Sequence, residues 1–244
     1  MPGDWVARVA FLFFVQVAYS QQVSPALPHE LAPAEECLVP QYRATRATQA
    51  PGIATPPPFA VRAAAEWEEI QALYVTWTSY ISTLAEVVRY AQDECKVIIH
   101  CTDSNAVKTD LITYSVPNTN IAFVQVPFNT IWLRDYGANT VYANGVDSLA
   151  LVDWIYNRPR PKDDTVPIAD AAAMGIQLYS TSTPPYDLVN TGGNFMCDGQ
   201  GTAFASKLIL SYKAAQLHHY LSELISMRKQ FLVRRSIPLR FAMK

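Results

Sequence analysis

Residues 71–101 read QALYVTWTSYISTLAEVVRYAQDECKVIIHC, and their pattern changes period twice. Residues 71–77 alternate as a strand does. Over 80–94, Ile81, Leu84, Ala85, Val88 and Ala91 recur at the spacing of one helix face. Residues 96–101 form a short apolar run of the kind that fills a fully buried strand. Downstream, a helix is expected over 104–114 and a strand over 120–126. Strand, helix, strand, helix, strand is the signature of an α/β fold.

Beyond Pro127 the pattern shifts toward paired strands. Residues 138–143 and 148–154 flank Asn144-Gly145, a hairpin turn in which both positions tolerate positive φ. A helix over 165–174 is closed by Gly175, and strands are expected over 176–180 and 202–210. A helix over 212–229 turns Leu217, Leu221, Leu224 and Ile225 inward. Upstream, residues 21–62 are rich in Pro, Ala, Gln and Thr without apolar periodicity, and are expected to form an extended leader.

Residues 1–20 have the form of a secretory signal peptide. An apolar stretch follows Arg8, too short to span a bilayer, and Ala18 and Ser20 supply small residues at the −3 and −1 positions of a cleavage site before Gln21. The competing reading is a buried helix. The signal predicts a secreted or periplasmic protein with no stable membrane association after cleavage. In that oxidising compartment disulfides are permitted for Cys37, Cys95, Cys101 and Cys197. Cys95 and Cys101 bracket a strand, so they stand roughly 20 Å apart and cannot bridge each other.

The chain of 244 residues is 50% hydrophobic and 16% charged, with a net charge of −2, the balance of a packed globular domain. With no basic field, nucleic acid is excluded as the main partner. The six cations at 228–244 read as a solvated tail. The cysteine spacing fits no zinc motif, and His29, His100, His218 and His219 lie far in sequence from the polar loops below. No metal site and no cofactor are expected.

Three stretches carry polar groups that a plain loop would not need. In 129–137, Arg134 and Asp135 follow Trp132 at the end of a strand, where α/β folds bind ligands; a surface turn closed by Gly137 is the alternative. In 157–164, prolines hold the backbone extended, so that Arg158 and Arg160 project to one side as a two-pronged anion site. The alternative there is a solvated loop in which Asp163 and Asp164 pair with those arginines. In 190–206, NTGGNFMCDGQGTAFAS, Gly192, Gly193, Gly199 and Gly201 surround Cys197 and Asp198. Asp198 reads either as a ligand carboxylate or as an Asx turn, and Cys197 either as a nucleophile or as a small buried hydrophobe. Adjacent residues of an extended segment face opposite ways, so the two cannot both face a substrate.

Together these stretches resemble the agmatine deiminase and bacterial peptidylarginine deiminase family. The shared motifs are Glu66-Trp67-Glu68, the Trp-x-Arg-Asp-x-Gly of 132–137, Val152-Asp153-Trp154 followed by Asn157, and Gly192-Gly193-Asn194-Phe195-Met196-Cys197-Asp198-Gly199. The resemblance implies a partial pentein α/β-propeller over 63–244, built from strand-helix modules around a central axis. It implies that Asp135 and Asp198 grip a guanidinium, a planar cation whose N–H donors suit two carboxylates. Trp132, Arg158, Arg160, Gly193 and Asn194 would also bind substrate.

In the family a cysteine thiolate attacks the guanidinium carbon, ammonia leaves, water releases the ureido product, and a histidine moves protons. Agmatine deiminases place that histidine two residues before the second carboxylate, where this chain has Met196. The family's nucleophilic cysteine lies in a stretch that these 244 residues do not reach, so a truncated protein without turnover is expected. Two arginines beside a cationic substrate would repel it, and the family uses such a pair to bind the terminal carboxylate of a peptide. Peptides or proteins with C-terminal arginine are therefore the expected partners, with conversion to citrulline. The alternatives are agmatine, as in putrescine biosynthesis, and a secreted non-catalytic arginine-binding module.

Overall fold

The computed structural model describes residues 26–48 and 51–211. The elements run α1 (Val39–Ala47), β1 (Val61–Ala63), β2 (Ala72–Thr76), α2 (Ile81–Glu94), β3 (Lys96–Cys101), α3 (Ser104–Thr113), β4 (Ile121–Gln125), α4 (Leu133–Tyr136), β5 (Asn139–Ala143), β6 (Ser148–Tyr156), α5 (Val166–Met174), β7 (Gln177–Thr181), β8 (Val189–Asn190), β9 (Met196–Cys197), β10 (Ala203–Phe204) and α6 (Leu208–Ser211). A 3₁₀ helix, Pro33–Leu38, leads directly into α1. The signal-like residues 1–20 and the expected helix over 212–229 lie outside the described residues.

The first sheet is parallel, in the order β2-β3-β4. Its middle strand is apolar on both faces because both are covered, and Val97, Ile99 and His100 are fully buried. Leu84, Ala85 and Val88 of α2 and Val107 and Leu111 of α3 pack into one core with it. The helical stripe and the apolar run of the sequence thus close on each other. Asp103 caps α3 by accepting from the Asn105 amide at 2.8 Å.

The second sheet runs β1-β5-β6-β7 and is centred on β6. β5 and β6 form the expected hairpin, with Asn144 and Gly145 at φ 49° and 92°. The chain leaves β7 and returns as β8 along the end of β6, pairing Ile155 with Val189 and Tyr156 with Asn190. That return delivers the glycine-rich loop to the C-terminal end of β6, where the Asn157 amide donates to the Asn190 carbonyl at 3.1 Å.

Three expectations are corrected. Residues 33–47 are helical instead of extended: Pro33 starts the 3₁₀ turn, and the side chain of Glu35 accepts from the Ala32 amide at 2.8 Å. The strand expected over 202–210 shrinks to β10, because Ser206 donates its amide to Asn194 and a helical turn follows. Finally, among the described residues Asp163 and Asp164 form no ion pair with Arg158 or Arg160. Asp163 accepts from the Asn129 and Thr130 amides and the Thr130 hydroxyl, while Asp164 receives Arg46 and the Tyr42 hydroxyl. All four cysteines are free thiols.

Helix α1 docks through charge more than through apolar contact. Arg46 is buried between Asp164 and Asp153, with its Nη2 at 2.6 Å from the Asp153 carboxylate. Burial first, and the neighbouring Asp164 second, push Asp153 up to about 8 against the cation's opposing pull. A carboxyl raised in the folded state adds stability that is fully present below its unfolded value of 3.8 and is lost as pH climbs through about 8. Replacing Arg46 leaves two buried carboxylates facing each other. Arg46→Met is expected to cost about 3–5 kcal/mol of unfolding free energy in urea at about pH 8. The cost should shrink as pH falls, because a proton on either carboxyl relieves the repulsion; a pH-independent cost would show that the cluster is not ionic.

Candidate active site

The turn that carries Asp135 is wedged between the two sheets. Tyr136 is buried, its hydroxyl shares a 2.7 Å hydrogen bond with Thr76 of β2, and it donates to the Thr130 carbonyl at 3.0 Å. Its ring meets that of Tyr156 edge-on, 5.9 Å between centroids. Trp132 and Leu133 pack into the same small core with Val126 and Val166. With Tyr136 held inward, the preceding carboxylate of Asp135 is left half-buried.

The glycine loop lies directly against this turn. A Cβ on Gly192 would collide with the Arg134 carbonyl and touch the Trp154 ring, and one on Gly193 would stand 2.7 Å from Asp135 Oδ1. Only glycine allows the backbone so close. The loop is also tied to the Glu66-Trp67-Glu68 segment. Arg62 binds Glu68 through both terminal nitrogens, at 2.6 and 2.9 Å, and donates to the Gly199 carbonyl at 3.2 Å. Arg134 pairs with Glu66 across the exposed rim. The four sequence motifs therefore meet in one place.

Within it, the sequence-derived residues divide. Asp135, Gly193 and Trp132 share the turn-loop junction, and no donor among the described residues reaches the Asp135 carboxylate. Asp198 serves its own loop as an Asx turn, its Oδ1 accepting the Gln200 and Thr202 amides at 2.8 and 2.9 Å. The Thr202 amide, followed by that of Gln200, holds its carboxyl below the ordinary range, so it stays ionised. Asn194 is likewise a loop tie, accepting from the Ser206 amide at 2.9 Å.

Cys197 faces a separate cavity of about 90 Å³, lined by Glu66, Arg134, Trp154, Phe195 and Met196 among others; Asp135 and Asp198 are not part of its wall. The thiol donates to the Ala64 carbonyl at 3.1 Å, and burial, with Asp198 and Glu68 adding to it, raises it above its usual range. A protonated thiol is a weak nucleophile. The thiol's cavity is thus walled by Glu66 and not by Asp135 or Asp198.

Arg158 and Arg160 are both buried, and they flank Tyr156, whose ring lies 5.6 Å from the Arg158 guanidinium carbon. Burial holds the Tyr156 phenol above its ordinary range; Arg158 and Arg160 pull it down, and Asp135 and Asp163 push it up. Both signs of charge therefore reach this one hydroxyl. Sequence reasoning missed Tyr156, a strand residue inside a quoted motif. It also missed Glu35, which binds Arg160 at 2.8 Å. Only Pro33 followed by acidic residues hinted at a helix start there.

Comparison with known proteins places this geometry. The family model of the Porphyromonas-type peptidyl-arginine deiminase matches residues 62–237. A Legionella pneumophila protein that bears an agmatine deiminase name is 35% identical over 89 residues, 36% of this chain and 25% of the relative. Among solved structures, the C. jejuni agmatine deiminase superposes with a TM-score of 0.53 at 20% identity, over 68% of this chain and 53% of that one. The Enterococcus faecalis agmatine deiminase gives 0.55 at 19% identity, over 70% and 50%. The chain thus spans about half the length of the solved relatives, which share its mixed α/β fold. It belongs to the Porphyromonas-type peptidyl-arginine deiminase family.

Proposed function

We propose that the Asp135 site binds a guanidinium group and belongs to an enzyme that hydrolyses it to a ureido product and ammonia, with agmatine the favoured substrate. The observation that carries this reading is the Asp135 carboxylate, half-buried and without a donor among the described residues, set against the bare backbone of Gly193. Glycine at 193 leaves the Asp135 carboxylate uncovered by any side chain from the loop, so that two N–H donors of a flat cation can meet its two oxygens. Keeping the guanidinium charged also keeps its central carbon electrophilic. The ionised Asp198 is the second carboxylate of this proposal, with its Oδ1 already engaged by the loop. The two sheets would be successive modules of a pentein fan.

The choice of agmatine rests on Arg160. Its charge is compensated by Glu35, so the repulsion expected from two arginines is halved. The names carried by the relatives point the same way. One observation favours the second reading, peptidyl-arginine met outside the cell after removal of residues 1–20. Among the described residues, Tyr156 Oη, Arg158 Nε and Arg160 Nη1 are buried donors with no partner, suited to a peptide's terminal carboxylate.

Calorimetry with agmatine tests the proposal. A hydrogen bond to a charged group contributes about 1.5–3 kcal/mol, so Asp135→Asn should weaken binding roughly 10- to 100-fold, whereas Cys197→Ser should leave it unchanged. Equal heats from wild type and Asp135→Asn would exclude the carboxylate as the holder. Gly193→Ala should reduce binding in the same direction by displacing Asp135, while its melting temperature falls less than that of Gly192→Ala, whose new methyl meets a backbone carbonyl.

A further inference from the structure

Residues 27–35 lie across the anion-binding end of the site. The Leu27 carbonyl accepts from Trp132 Nε1 at 2.8 Å, and the His29 ring meets the indole edge-on at 5.6 Å. The Glu30 carbonyl accepts from Arg160 Nη2 at 3.0 Å. Glu35 then grips the same guanidinium with both oxygens, Oε1 to Nε at 2.8 Å and Oε2 to Nη2 at 3.0 Å. Two of the residues read as substrate-binding, Trp132 and Arg160, are therefore already engaged from within the chain. The anchor of this segment lies further on, where Tyr42 and Arg46 hold Asp153 and Asp164.

The fit at Arg160 is incomplete. Glu35 takes Nε and Nη2, yet Arg160 Nη1, Arg158 Nε and Tyr156 Oη remain buried with no partner among the described residues. Arg160 is 1% exposed, Arg158 8% and Tyr156 0%, so solvent does not satisfy them freely. Three unmatched buried donors in one cluster are a place where the acceptors of a ligand would be satisfied. A ligand bearing a carboxylate next to an amide carbonyl brings more acceptors than the single side chain of Glu35.

We infer that Glu35 is an internal stand-in for a ligand carboxylate: residues 27–35 form a strap that fills the Arg158–Arg160 subsite and shuts out carboxylate-bearing substrates until it is displaced. Its bearing on substrate choice rests on the guanidinium reading above. Strap and carboxylate ligand exclude each other, while a substrate without a carboxylate needs only the Asp135 end. Glu35 is thereby a specificity-determining residue between agmatine-like and peptidyl substrates. Because α1 stays anchored by Arg46, the strap can lift without being lost.

The test uses N-acetylglycine, a carboxylate beside an amide with no guanidinium, titrated calorimetrically into the full chain. Glu35→Gln is expected to bind it at least tenfold more tightly than wild type, and N-acetylglycinamide should show no such gain. In the wild type at saturating N-acetylglycine, hydrogen exchange should quicken in residues 27–35 and stay constant in α2. Equal affinity of wild type and variant for N-acetylglycine, with the variant's melting temperature retained, would overturn the inference. So would unchanged exchange in the strap, a measurement that decides the matter even if the variant fails to fold. Agmatine run in parallel separates the two readings: no agmatine binding alongside a carboxylate gain in Glu35→Gln sinks the guanidinium site and leaves the strap standing.

Discussion

The backbone of Gly192 presses on the carbonyl of Arg134 so closely that no side chain fits between them. This contact joins two stretches far apart in sequence, the turn at the end of the first sheet and the loop delivered by β8 at the end of β6. Everything specific to the site follows from it. Gly193 is brought to Asp135, Trp154 is covered, and Phe195 offers its carbonyl to Arg134. With any Cβ at 192 the loop would have to stand off from the turn, and Gly193 would move away from Asp135. A half-buried carboxylate holds a cation at a lower effective dielectric than bulk water offers.

A second constraint comes from two consecutive aspartates. Asp163 collects the amides that precede the Trp132 turn, and Asp164 collects Arg46 and Tyr42 from α1 and accepts the Tyr156 amide. One short 3₁₀ turn thereby fixes the entry to the site, the end of its central strand and the N-terminal helix. Such a buried ionic junction stabilises little relative to apolar packing, but it tolerates few alternative geometries. That specificity suits a place where three segments must hold a register around reactive groups. It also leaves the N-terminal segment attached by charge, and therefore responsive to charge.

The elements around residues 71–126 were legible because their signals are local. Alternation, a helical stripe and a continuous apolar run each need only neighbours to be read, and β3 coincides with its apolar run, Lys96–Cys101. Helix α1 was not legible for the converse reason. Its exposed face is polar, and its partners lie 107 to 122 positions away, so no window of sequence contains both. The site shows the same division. Asp135 and Gly193 stand out by motif, whereas the thiol of Cys197 bonds the Ala64 carbonyl, a partner 133 positions away. The duties of Asp198 and Asn194 within their own loop, and the occupation of Arg160 by Glu35, depend on long-range closure that residue types do not announce.

The cysteine question shows how far geometry reaches beyond composition. A thiol next to a carboxylate, among glycines, invites a nucleophilic reading. In the folded chain the thiol lies in a separate cavity, hydrogen-bonded to a carbonyl and raised in pKa by burial and by nearby anions. A thiolate needs the opposite surroundings, a cation or a helix N-terminus. Arg134 also lines that cavity, but its charge is engaged by Glu66 and cannot draw the proton from the thiol. Among the described residues, Asp135 and Asp198 are the carboxylates of the proposed guanidinium site, while Arg160 is already held by Glu35.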